Sequence, residues 1–165
     1  MIEEVEKAAK ILGIGYEWKE APGTDGKQVR FLLLNFGVGY KIACTEGQNS
    51  VLLETAILMK REDAEAIAID ANRQKRLLRV LKLELLTGRT GYRFETEKDQ
   101  LRAIVLSQRL ILSADSESGL QRFWDGLQEL VIMAARCLEL LGAVLGDMRT
   151  APPLKQTTSP EMMYR

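Results

Sequence analysis

The longest run of helically spaced apolar residues lies between Ser116 and Met148. Leu120, Phe123, Trp124, Leu127, Leu130, Val131, Ala134, Leu138, Leu141 and Leu145 follow the i, i+3, i+4, i+7 rhythm of one buried helix face. From Leu130 onward the opposite side is apolar as well, through Ile132, Met133, Cys137 and Leu140, with Arg136 and Glu139 as the charges between them. One sheet face cannot cover both stripes. Leaving the second in water forfeits about 1.5–3 kcal/mol for each Leu-sized side chain, so the pattern asks for a second cover. Another subunit or a protein ligand is expected to supply it, with Ile132, Met133, Arg136, Glu139 and Leu140 as the contacts of a homodimer. Arg136 and Glu139, three apart, either pair across one turn or fix the register of a partner helix.

The rest of the chain divides by period. Ile2, Val5, Ala9 and Leu12 predict a short amphipathic helix, with Gly13 placed for a left-handed C-cap. Ile14, Tyr16 and Trp18 alternate with polar residues or glycine as in a half-buried strand. Asp25-Gly26 marks a hairpin turn into a second strand, Gln28 to Phe36, in which Phe31 and Leu33 point one way and Leu32 and Leu34 the other. A third strand carries Val38, Tyr40, Ile42 and Cys44 on one face, and a fourth runs from Ser50 to Met59. Lys60 to Thr87 reads as one helix, acidic at its start and basic towards its end, closed by Gly88. Tyr92 and Phe94 open a fifth strand, Leu101 to Leu112 forms a sixth, and Ser113 to Ser116 offers N-caps for the last helix.

The expected fold is therefore α+β, an antiparallel sheet of five to six strands with three helices in the order α-β-β-β-β-α-β-β-α. It forms one domain over residues 1–148, followed by a flexible tail over 149–165 that contains Pro152, Pro153 and Pro160. No run of uncharged residues approaches the length of a membrane span. The acidic start, Glu3-Glu4-Val5-Glu6, lacks the plan of a signal peptide, so a cytoplasmic location is expected.

Charge and composition narrow the chemistry. Lys+Arg and Asp+Glu each number 23, so no global field draws the chain to nucleic acid. Histidine is absent, which removes the usual general base and the commonest transition-metal ligand. No catalytic residue, metal or cofactor is expected. Cys44 and Cys137 have apolar neighbours and no ligand spacing, and read as buried free thiols. Gly13-Ile14-Gly15 and Gly37-Val38-Gly39 lack the third glycine of a nucleotide fingerprint and read as turns. Glu54 would be a base only with a partner group, and reads as an outward strand residue. Phe123 and Trp124 read as core. Met162, Met163 and Tyr164 form a short apolar cluster near the end of the chain.

Four local stretches carry a family likeness: Gly15-Tyr16-Glu17-Trp18, Val29-Arg30-Phe31-Leu32-Leu33, Leu58-Met59-Lys60-Arg61-Glu62-Asp63 and Gly91-Tyr92-Arg93-Phe94-Glu95. With the element order, they make the chain resemble the YbjN proteins and the type III secretion chaperones of the Tir-chaperone kind. The resemblance implies a small non-enzymatic domain, commonly a homodimer, that in the chaperone branch holds an extended client segment on apolar patches. The expected function is thus protein binding, chaperone-like or adaptor, with another polypeptide as partner held by Leu32, Leu34, Leu52, Ile104 and Leu106. The alternative is a nucleic-acid accessory protein that uses the basic helix face of Arg73, Arg76, Arg79 and Lys82.

Overall fold

A computed structural model of the protein describes residues 1–22, 26–37, 39–113 and 115–150. The expected tail lies outside the described residues from 151 onward, as do Met162, Met163 and Tyr164. The elements are α1 (Ile2–Ile11), β1 (Gly15–Pro22), β2 (Gln28–Phe36), β3 (Tyr40–Glu46), β4 (Val51–Leu58), α2 (Arg61–Ala68), α3 (Ala71–Leu85), β5 (Gly91–Glu97), β6 (Gln100–Leu110) and α4 (Glu117–Thr150). The α+β class and the six antiparallel strands are as the sequence predicts; the described residues hold four helices rather than three.

The additional helix comes from a break in the expected middle one. Asp70 leaves the helical region at φ −112° and ψ 98°, and its Oδ1 accepts from the backbone N–H groups of Asn72 (3.0 Å) and Arg73 (3.1 Å). An Asp in that role is a new N-cap, so α3 starts afresh at an angle α2 does not dictate. At the chain start, Gly13 takes φ 68°, its N–H donating to the Lys10 carbonyl at 3.2 Å and that of Ile14 to the Ala9 carbonyl at 2.8 Å. That pair of bonds is a Schellman stop, and it turns α1 into β1.

The sheet runs β1-β2-β3-β4-β6-β5, with every neighbouring pair antiparallel. Hairpins link β1 to β4, the α2–α3 passage carries the chain to the far edge, and β6 then enters between β4 and β5. Register fixes which side chains share a face. Leu34 pairs with Ile42, Leu32 with Cys44, Cys44 with Leu53, Thr55 with Leu106, and Ile57 with Ile104. Apart from Thr55, which is a buried polar residue on the same face, these belong to one core with Val5 of α1, Ile67 of α2, Leu81 of α3 and Phe123 and Leu127 of α4. All four helices therefore cover the same face. Near its start β6 holds a bulge: Glu95 pairs with Ala103 but Thr96 with Leu101, leaving Arg102 as the extra residue. The extra residue reverses the alternation and brings Leu101 into the core, at 1% exposure.

Two glycines set how close α4 lies. Ser116 caps it, its Oγ accepting from the Gly119 N–H at 3.1 Å, and a Cβ on Gly119 would fall 1.8 Å from the Ser113 carbonyl oxygen. On Gly126 it would meet Gln108 Oε1 at 2.8 Å and Leu110 Cδ1 at 2.9 Å. Nearby, Glu129 ties α4 to β6 and to the loop before β5 by accepting from Gln108 Nε2 (2.9 Å) and the Arg89 N–H (2.7 Å). Gly119→Ala is expected to lower stability by about 1–3 kcal/mol through overpacking. Gly142→Ala, facing open space on the same helix, is expected to be neutral or to add up to about 1 kcal/mol. Urea denaturation of the two variants reads the contrast, and equal effects would contradict this placement of α4.

Candidate interaction surfaces

The uncovered face of the sheet follows from the same pairing. Opposite the core set lie Phe31 and Leu33 of β2, Ala43 and Thr45 of β3, Leu52, Glu54, Ala56 and Leu58 of β4, and Ala103, Val105 and Ser107 of β6. Ala103 and Val105 are buried between their neighbours, Phe31, Leu33, Ala43 and Leu52 are half-buried, and Leu58 is 77% exposed. Charges enter this face on two central strands, Glu54 of β4 and Arg109 of β6, the latter paired with Leu52, and further charges stand at its edges. Glu17 and Lys19 pair at 2.9 Å on one side, and on the other Arg93 bridges Glu54 and Glu95. Glu54 is thus an outward strand residue bound to a guanidinium. Its carboxylate holds the Arg93 pKa above the usual arginine value, the hydrogen bond being the main cause. The edge strands β1 and β5 carry Glu17, Lys19, Glu20, Pro22, Arg93, Glu95 and Glu97, the kind of residues that discourage strand addition.

This placement corrects the expected partner-binding set. Leu32, Leu34, Ile104 and Leu106 are 0% exposed and sit in the core under the helices; of the five, Leu52 alone lies on the open face. Phe31, Leu33, Ala43, Ala56 and Leu58 share the open face with Leu52. A signal for them existed in β3, where Ile42 and Cys44 alternate with Lys41, Ala43 and Thr45. Pairing β2 to that strand assigns Leu32 and Leu34 to the core side.

The second surface is the seam of α3 and α4. The expected dimer set divides here: Met133 is 3% exposed against Gly88, Leu140 is partly buried, and Ile132 remains 52% exposed. Cys137 is fully buried. The second stripe of α4 is therefore covered in large part by α3 of the same chain. Arg136 pairs with Glu84 of α3 at 2.9 Å rather than with Glu139, which is exposed. Towards the start of α3, Leu77, Val80, Leu140 and Val144 line an open groove bounded by Arg73 and Arg76. Arg76, Arg79 and Lys82 are exposed and Arg73 half-buried.

Among the described residues no three His, Cys, Asp or Glu are grouped to hold a metal ion. Both thiols are free and buried, and burial raises them, Cys137 to about 11 and Cys44 further. Among the described residues no helix is long and apolar enough to cross a membrane.

Comparison with known proteins bears on the fold. An uncharacterized protein from Methanothermobacter thermautotrophicus superposes with a TM-score of 0.68 at 12% identity, covering 86% of this chain and 96% of that one. The two share a fold. YbjN of E. coli, from one of the two groups that the element order and local stretches resemble, superposes over 90% of this chain and 91% of its own, with a TM-score of 0.46 and 15% identity. No protein-family model matches the sequence, and no curated protein is significantly similar to it.

The face assignment predicts opposite outcomes for adjacent leucines. Leu53→Ala is expected to cost about 2–5 kcal/mol, as a cavity in the core. Leu52→Ala is expected to cost less than about 1 kcal/mol, as a change on a partly open surface. Denaturant midpoints of the two variants check this, and a larger loss at Leu52 would reverse the assignment.

Proposed function

We propose that the protein is a non-enzymatic polypeptide-binding domain, chaperone-like or adaptor, that receives a partner segment on the uncovered face of its sheet. The observation that carries the reading is the one-sided helix layer, with apolar Phe31, Leu33, Ala43, Leu52 and Leu58 on the opposite side. An antiparallel sheet can leave one face in water, but such faces are ordinarily polar. Here most central positions are apolar, with Glu54 and Arg109 set among them, and further charges stand at the edges, a surface that gains by being covered. A bound segment would bury Leu33 and Leu52 at the middle and meet Lys19, Arg93 or Glu95 at the rim. The lack of histidine agrees with a role without proton-transfer chemistry.

A second reading, nucleic-acid binding, is favoured by the exposed cations of α3. Formal net charge of zero and the absence of any aromatic residue on that helix weigh against it.

Affinity capture by the tagged full-length chain, beside a Leu33→Asp Leu52→Asp variant and at two salt concentrations, separates the readings. A polypeptide kept at high salt by the parent and lost by the folded variant is the expected result. Retention by both proteins would contradict the sheet-face reading. Recovery of nucleic acid alone, falling steeply as salt rises, would favour the second reading.

A further inference from the structure

The seam between α3 and α4 can be followed residue by residue. Met133 lies at Gly88, Arg136 bonds Glu84, and Leu140 and Val144 stand opposite Val80 and Leu77, so the helices run antiparallel. Side chains close the seam as far as the Arg136–Glu84 pair. Beyond it, towards the start of α3, the seam opens into a groove of about 220 Å³. Its floor is Leu77, Val80, Leu140 and Val144, and Val80 is 46% exposed. Arg73 and Arg76 stand at its border.

What sets α3 apart is how closely its cations are clustered. Lys7, Lys10, Lys19, Arg61, Arg93, Arg102 and Arg136 each reach a carboxylate. Arg73, Lys75, Arg76, Arg79 and Lys82 form no ion pair among the described residues, and Glu84, the one acid within α3, is taken by Arg136. In a chain of zero formal net charge, this is a concentration of five cations beside an apolar groove, with Asp70, at the helix start, the acid that shares a surface with Arg73 and Arg76.

We propose that the α3–α4 groove is a docking site for an amphipathic helix of a partner protein, apolar on one face and acidic along its flank. A cleft between antiparallel helices accepts a third helix whose apolar residues repeat at i, i+3 or i+4, and i+7. The stretch from Arg73 to Val80 is about 10 Å long, enough for two turns of such a helix. Carboxylates beside the apolar stripe meet Arg73 and Arg76, where guanidinium groups can bond them bidentately, and Arg79 lies one turn further out. Charge complementarity selects this occupant over two others. A second copy of the chain would set the same five cations against one another. A nucleic acid would leave the four aliphatic side chains without a counterpart and find no aromatic residue in the groove to stack a base. The site is on the helix layer, away from the uncovered sheet face, and does not rest on that face binding anything.

The test uses the full-length protein and a fluorescein-labelled synthetic amphipathic helix, with leucines at the spacing above and flanking glutamates, read by fluorescence anisotropy. A matched peptide with lysines in place of the glutamates is titrated alongside. The acidic peptide is expected to bind at least about tenfold more tightly than the basic one, and Arg73→Glu Arg76→Glu to remove that preference. Val80→Asp, at an exposed position that leaves circular dichroism unchanged, is expected to weaken acidic-peptide binding about tenfold, while Leu52→Asp on the sheet leaves it unaltered. Equal binding of the two peptides, or affinity untouched by both groove variants, would overturn the proposal. So would a labelled duplex oligonucleotide that binds more tightly than the acidic peptide and is lost on the same charge reversal, or a dimer that Val80→Asp dissociates.

Discussion

The two-residue period of a β-strand decides most of this molecule. A strand between two others can hide one set of alternate residues under helices only by presenting the other set to the opposite side. In β4 the consequence is plain: Val51, Leu53, Thr55 and Ile57 are buried beneath the helix layer, while Leu52, Glu54, Ala56 and Leu58 form the other face. The pairing register transmits that choice from β3 and β4 to β2 and β6, so that one alternation fixes the core and the open surface together. Where β6 would break the pattern, the extra residue Arg102 restores it and returns Leu101 to the core.

The helix layer has its own organising pair. α4 lies on β4 and β6 and is apolar on more than one side, and α3 supplies much of the missing cover by packing against it from the solvent side. Asp70 makes that possible, since capping α3 separates its direction from that of α2. The cover is complete near Gly88 and Met133 and opens towards Val80 and Val144. The open groove and the unpaired arginines are thus two results of one packing arrangement: α3 has its apolar side against α4 and its cations left over.

Much of the fold was legible in the sequence, because Gly13, the hairpin turns and the strand alternation act locally. The break at Asp70 was not, since an acid within a helical period reads as an ordinary surface residue until its backbone leaves the helix. Nor was the choice of face in β2. Phe31-Leu32-Leu33-Leu34 is apolar on both sides, and its parity is set by strands elsewhere in the chain. For the same reason four of the five leucines and isoleucines expected at a binding surface, Leu32, Leu34, Ile104 and Leu106, are core residues. The basic run of α3 was visible in the sequence, whereas its lack of carboxylate partners depends on which helices meet. Arg136 shows the difference, because its partner Glu84 is 52 residues away in the chain and could not be found by spacing.

The two apolar surfaces lie on opposite layers, one carrying mixed charges and the other bordered chiefly by cations. Both depend on the helices covering a single face of the sheet, and single-cysteine labelling tests that most directly. The native thiols at Cys44 and Cys137 are buried and contribute little background. With cysteine placed in turn at Phe31, Leu32, Leu33 and Leu34, maleimide should react readily at the first and third positions and be slowed by about a hundredfold or more at the second and fourth, where reaction requires opening of the core. Equal rates at all four, or the opposite alternation, would contradict the account.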